Sequence, residues 1–581
     1  MRVSQSVAKS LLMKINLFIC ATLLSILGCA SVAFAAAAPA AEKPDASACL
    51  GCHGNEGFEM PGADGKMKSL HVASAKFEKS VHGKFLACVD CHADRAEIPH
   101  KEGMPKSKVD CGNCHSDQKA AYLTSVHGQE AQKGNLKAAT CSSCHSKHEI
   151  QHVNTDESKL AIVQSCGKCH SENFRSYTDT YHGQVNTLGY TYTAKCFDCH
   201  ASHTIQRVNN PASTVHPDNR LKTCQKCHTG ATAGFVTFQP HANTHDFNRY
   251  PIMWIASKFM ISLLAGVFAF FWLHSALWFY REYRDRKEGK SRPHVKAEAV
   301  PGKAPEKHYQ RFALGWRIGH FCFALSVMLL VLTGMAVFYA ETGWAKAIVD
   351  AFGGPRVTAY VHRVCAAVML GIFFVHLVFV AIKLGKVWRT FNWLGPDSLV
   401  PNLRDLQSAI DMFKWFFGAG PRPVFDRWTY WEKFDYWAVF WGMGIIGGSG
   451  MMLAFPNVTA SILPGWVFNI ATLVHGEEAF LAAVFLFTVH FFNNPLRPDK
   501  YPPPDIVMFT GAVALEEFKR EHALEYKRLV DSGQLEKYLV DAPSKPMTIG
   551  SRIVGIVLIA CGLSLLVMVM IGFLGGIGVA H

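Results

Sequence analysis

Once its repeated C-x-x-C-H pentads are set aside, the 581-residue sequence has almost no cysteine left over. Of 19 cysteines, Cys20 and Cys29 fall near the N-terminus, Cys322, Cys365 and Cys561 fall in apolar runs, and the other fourteen all belong to pentads. That excludes an exported domain stapled by disulfides, and it leaves no separate cysteine cluster for an iron–sulfur centre. A Rossmann-type glycine fingerprint is missing as well, which excludes a nicotinamide or flavin site of that kind. No pentad ends in lysine, and no methionine recurs at positions that match between repeats. The net charge of +13 does not point to nucleic acid, because most basic residues can be placed in loops beside apolar spans.

What is present is a set of seven pentads. They comprise Cys49, Cys52 and His53; Cys88, Cys91 and His92; Cys111, Cys114 and His115; Cys141, Cys144 and His145; Cys166, Cys169 and His170; Cys196, Cys199 and His200; and Cys224, Cys227 and His228. Zinc would use C-x-x-C pairs without a histidine following every one of them. Each pentad instead reads as a c-type haem attachment signal. Two thiols add to the two vinyl groups of one porphyrin, and the next side chain is placed to give its imidazole to the iron. Seven covalent haems c are therefore expected, with these seven histidines proximal.

A repeat runs through the same region. S-V-H-G at Ser80–Gly83 and Ser125–Gly128, and T-Y-H-G at Thr180–Gly183, each precede two pentads. The second and third units also share C-H-x-x-H-x-I-Q-x-V, which puts His148 and His203 three residues beyond a proximal histidine, where the first unit has Arg95. Eleven further histidines lie here: His71, His82, His100, His127, His148, His152, His182, His203, His216, His241 and His245. Recurrence favours His82, His127, His182, His148 and His203 as distal ligands, with His71 and either His241 or His245 completing the set. His152 and His216 are expected to be exposed or to cap helices. About thirty residues per haem leave too little side-chain mass for an ordinary core. The expected fold is loop-rich and mostly α, with packed porphyrins as its core.

The first residues look like a signal peptide. Arg2, Lys9 and Lys14 precede an apolar stretch and small residues at Ala33 and Ala35, so residues 1–35 would be removed. Acylation at Cys29 is the competing reading. Residues 36–250 form the exported domain. Six apolar runs follow, near 252–280, 316–339, 357–384, 434–455, 467–492 and 552–576, each long enough for a spanning helix. Lys and Arg number ten in 281–315, seven in 384–433 and eight in 493–551, against two in 340–356 and none in 456–466. The positive-inside rule makes the first three loops cytoplasmic and puts the pentads outside, as the leader does. The resulting division is a first helix at 251–282, a basic loop at 283–315, a four-helix module at 316–492, a charged amphipathic helix around Glu516 to Leu529 lying as a solvated face within 493–551, and a last helix with an outer C-terminus at 552–581.

Ionisable side chains inside a bilayer are functional candidates by default. His362 and His475 lie towards the outside, and His320, His376 and His490 towards the cytoplasm. One imidazole from each of two helices at one depth would hold a b-type haem, which suggests an outer haem on His362 and His475 and an inner haem on two of the other three. Two haems b are therefore expected.

Residues 311–492 resemble the dihaem cytochrome b subunits of formate dehydrogenases, nickel-iron hydrogenases and thiosulfate reductases. The likeness rests on Arg317-x-x-His320, Leu332-Thr333-Gly334, Val361-His362-Arg363, Glu432-Lys433-Phe434-Asp435-Tyr436-Trp437 and the His475/His490 pair. It implies His320 with His490 as the inner pair. His475 and His490 are fifteen residues apart, about 60° off stacking at 100° per residue, whereas His362 and His376 are fourteen apart, so His376 stands as a rival ligand. The fusion to a multihaem domain resembles the combined c- and b-type quinol oxidoreductases of the inner membrane of metal-respiring bacteria. That likeness implies menaquinol as substrate, oxidised near the inner haem with a histidine not used as a ligand, His376 or His490, relaying the proton. Periplasmic or outer-membrane cytochromes c would accept the electrons. An anchor subunit for a separate dehydrogenase, or the reverse flow of electrons, would use the same wiring.

Overall fold

The computed structural model describes residues 46–62, 65–101, 104, 107, 109–290, 307–500 and 503–577, so the expected leader and the competing Cys29 site lie outside the described residues. The chain separates into two compact units. One, the pentad unit, runs to Ala242 and also takes in Asn457–Trp466. The other, the span unit, holds Asn243–Pro456 and the chain from Val467 onward.

The pentad unit is built of short helices joined by turns. Its repeat has a local cause. The hydroxyls of Ser80, Ser125 and Thr180 accept from the amides of Gly83, Gly128 and Gly183 at 2.9, 3.0 and 3.2 Å, capping the turn that carries the histidine between them. A Cβ on any of those glycines would land on the carbonyl oxygen of Phe77, Tyr122 or Tyr177, so only glycine closes the turn. Tyr122 and Tyr177 in turn donate to the carbonyls of Ala139 and Ala194, both at 2.8 Å. Successive units are stitched by the backbone. Val81 N–H donates to Ile150 C=O at 2.9 Å and Val126 N–H to Ile205 C=O at 2.8 Å, so the H-x-I-Q segment of one unit pairs with the S-V-H-G segment of the unit before.

Asn457–Trp466, which the sequence leaves within the four-helix module, belongs to this unit. Gly465 N–H donates to Gly234 C=O at 2.8 Å, and the Thr232 hydroxyl donates to Ala460 C=O at 3.1 Å.

Among the described residues, the span unit contains six helices long and apolar enough to cross a membrane: Pro251–Lys287, Leu314–Phe338, Pro355–Val387, Tyr430–Ala454, Val467–Asn493 and Lys545–Gly575. This number agrees with the apolar runs, although the first and last helices are longer than expected. The fourth and fifth are interrupted by π turns at Met443–Gly447 and Leu486–His490. Val331, Met335, Phe480, Ala483, Val484, Phe487, Leu565 and Val569 form one buried cluster between the second, fifth and sixth spans.

Residues 493–551 correct the expectation of one amphipathic helix with a solvated face. The segment breaks into Leu515–Glu521 and Ala523–Asp531, and Phe518, Glu525 and Leu529 are buried. Three short antiparallel strands, with His308–Gln310 between Ala512–Ala514 and Leu539–Val540, bring Tyr309 to stack on Phe518 at 3.7 Å. The buried Glu525 carboxylate accepts from Tyr309 at 3.0 Å and from Arg427 at 2.6 Å, with Arg311 at 3.4 Å, which supplies the pairing that a buried charge requires. The alternation of charge reads as a solvated helix in sequence because these partners come from residues 309–311 and 427, far along the chain.

Candidate haem-ligand sites

Each proximal histidine of the pentad unit faces one further histidine. The pairs are His53 with His100, His92 with His148, His115 with His82, His145 with His203, His170 with His127, His200 with His241 and His228 with His182, with ring centres 6.0–6.4 Å apart. An imidazole nitrogen binds a metal at about 2.0 Å, and the ring centre lies about 1.1 Å behind it, so two rings on opposite sides of one iron sit about 6.2 Å apart. Ordinary ring packing spans about 4.5–7 Å and includes that value. What packing alone does not explain is the matching, in which every pentad histidine has one non-pentad partner and no histidine serves twice. The residues therefore fit seven bis-histidine haems.

The matching follows the repeat. The S-V-H-G histidine of each unit faces the second pentad of its own unit, and the C-H-x-x-H histidine faces the first pentad of the unit before. Directly behind the proximal His145 and His200, Ser146 and Ala201 turn the chain with φ of 65° and 66°, a conformation that L residues rarely hold. His148 and His203 are sent across to the preceding unit from these turns.

His100 replaces His71 as the partner of His53, and His241 rather than His245 faces His200. His71 and His245 face no proximal histidine among the described ring pairs. His53 and His100 both have Nδ1 anchored on backbone carbonyls, of Leu70 at 2.8 Å and Glu97 at 2.9 Å, which leaves both Nε2 atoms as acceptors. Arg95 holds the place of the crossing histidine in the first unit, and His100, five residues on, takes over that role. His216 caps the helix Pro217–Gln225, and His152 Nδ1 accepts from Asn154 N–H at 3.3 Å.

Burial, and behind it the neighbouring His228, pushes His182 down to about 4. Burial likewise lowers His127, His145, His148 and His200, keeping these imidazoles in the neutral form that binds metal. Consecutive pentads are also neighbours in space. The thiols of Cys49 and Cys88, Cys91 and Cys114, Cys111 and Cys141, Cys144 and Cys166, Cys166 and Cys196, and Cys199 and Cys224 are close enough to interact electrostatically.

In the span unit, His362 and His475 face each other with ring centres 6.4 Å apart. Thr333 Oγ1 lies 2.8 Å from His362 Nδ1 and donates its own proton to Leu329 C=O, so it accepts from the ring. Ser449 repeats the arrangement 3.1 Å from His475 Nδ1 while donating to Ile445 C=O, and the Ile446 carbonyl of the π turn adds a second acceptor at 3.0 Å. A Cβ on Gly334 or Gly450 would come within 3.0 Å of the His362 or His475 ring. Thr333-Gly334 and Ser449-Gly450 are thus equivalent cradles, of which the sequence reading marked only the first.

His320 lies within electrostatic reach of His490. The π turn Leu486–His490 brings His475 and His490 closer to one face of the fifth span, because its wider turn removes about one residue from the helical count. Fifteen residues then stack as about fourteen would. His376 meets the Tyr436 hydroxyl through Nε2 at 3.0 Å, against Trp316, which precedes His320 by one turn. No motif in the sequence singles out His274 in the first span. It is buried, lies 2.5 Å from the Tyr430 hydroxyl and is ringed by Phe270, Trp278, Phe413 and Phe416. No family model, curated protein or solved structure matches this chain.

Proposed function

We propose that the chain is a quinol oxidoreductase of a bacterial inner membrane, taking electrons from menaquinol in the span unit and passing them through two haems b and seven haems c to a cytochrome outside. The complete matching of proximal with non-pentad histidines carries the reading. Bound haems would supply one-electron relay. The protein's part is to fix their order and separation, and the adjacency of successive pentads supports an unbroken path. Each quinol gives up two electrons and two protons. His376 and Tyr436 share a hydrogen bond, half-buried beside the rings of Trp316 and Phe440, and in this reading the pair takes a quinol hydroxyl proton at its histidine and hands it on. His320 and His490 stand ready as the inner b ligands, and His362 and His475 as the outer ones.

Purified protein mixed anaerobically with menaquinol should show reduction of the c haems, and His376→Gln should slow this at least tenfold with haem content unchanged. No reduction by any of several quinols would overturn the reading.

A further inference from the structure

His490 differs from the two outer imidazoles of the span unit in what holds the far nitrogen of its ring. In the outer layer the acceptors are neutral: the hydroxyls of Thr333 and Ser449 and the Ile446 carbonyl, at 2.8–3.1 Å. In the inner layer His490 Nδ1 lies 3.0 Å from Oδ2 of the Asp435 carboxylate, which also accepts from Asn494 Nδ2 at 3.2 Å. Asp435 Oδ1 is buried with no hydrogen-bond partner among the described residues, so no cation meets that oxygen. Lys433, two residues earlier, is held instead by Asp405 at 2.9 Å.

We propose that Asp435 is a positioning residue that makes the inner layer the more reducing of the two, so that the step from the cytoplasmic layer to the outer one is downhill. The inference rests on the b-haem ligands and the outward flow proposed above and adds the residue that sets the order of the two b-haem potentials. An imidazole whose N–H is held by a carboxylate is a stronger electron donor to a metal than one held by a hydroxyl or carbonyl. A stronger donor, with a negative charge behind it, stabilises the ferric over the ferrous state and lowers the reduction potential. Both outer rings have neutral acceptors, and the Asp435 carboxylate behind His490 is the contrast on which the inference stands.

Redox titration of the full-length protein, following the b-type absorbance, tests this. Two components should resolve, and the one lost in His490→Ala should be the lower. Asp435→Asn keeps an acceptor for Nδ1–H and removes the charge. It should raise that lower component, leave the other in place and keep both haems. Asp435→Glu should stay low. An Asp435→Asn protein that titrates like the wild type, or one in which both components move equally, would overturn the inference. If Asp435→Asn fails to retain the inner haem, the order of potentials in the wild type and in Asp435→Glu decides, and an inner component above the outer one overturns it. Absence of any b-type signal in the wild type removes the ligand reading itself, a result distinct from unmoved potentials.

Discussion

In the pentad unit the buried apolar side chains are few, with Val163, Val185, Leu188 and Phe235 among them, whereas the span unit buries Val331, Met335, Ala483, Val484, Phe487 and Val569 in one cluster and Trp278, Met412, Trp415, Phe416 and Trp431 in another. Order in the first comes from capped turns, cross-unit backbone bonds and facing histidines; in the second it comes from side-chain packing. If haem binds as proposed, the difference predicts opposite dependence on it. Helices that bury one another keep their fold without haem, while a unit whose mass per site is too small for a core does not.

The largest effect should appear when the chain is made in cells that cannot attach haem to C-x-x-C-H. The pentad unit should then be digested by added protease within minutes, while fragments containing the spans persist in the membrane. Equal survival of both units would break the comparison. Next in size is the choice of partner for His53. His100→Ala should convert one c haem in seven to a high-spin form, read by electron paramagnetic resonance, and His71→Ala should convert none. The reverse result would restore His71 as the ligand.

Smaller effects probe the turns. Gly183→Ala drives a methyl group onto the Tyr177 carbonyl and should destabilise the pentad unit by about 3 kcal/mol in denaturant titration. Gly266→Ala in the first span, where a Cβ meets nothing within 4 Å, should change little. Smallest, and of opposite sign, is relief of the strained turns. Ser146→Gly should stabilise by about 1 kcal/mol, because glycine adopts φ of 65° freely. A loss of stability would show that the Ser146 side chain matters more than its backbone.

Much of this arrangement was legible in the sequence because it repeats. Recurrence singled out His82, His127, His182, His148 and His203, and all five face a proximal histidine. His100, which faces His53, does not stand out in the sequence because its unit departs from the repeat at Arg95, and a position that does not recur carries no such signal. The spans were legible from apolar length. The two π turns were not, since an extra residue in a helical turn leaves no mark on composition, and the 60° misfit between His475 and His490 was the one hint of the second. Residues 493–551 were misread for a different reason: the partners of Phe518 and Glu525 lie at Tyr309, Arg311 and Arg427, and no local pattern announces contacts so far apart in the chain.

The most direct test of the central claim is to count haems by type and spin state in the purified chain, using alkaline pyridine spectra together with electron paramagnetic resonance. Seven haems c and two haems b per chain, all low-spin with two nitrogen ligands, is the result that the histidine pairs predict. Fewer than two haems b, or a c haem that is high-spin in the unmodified protein, would contradict it.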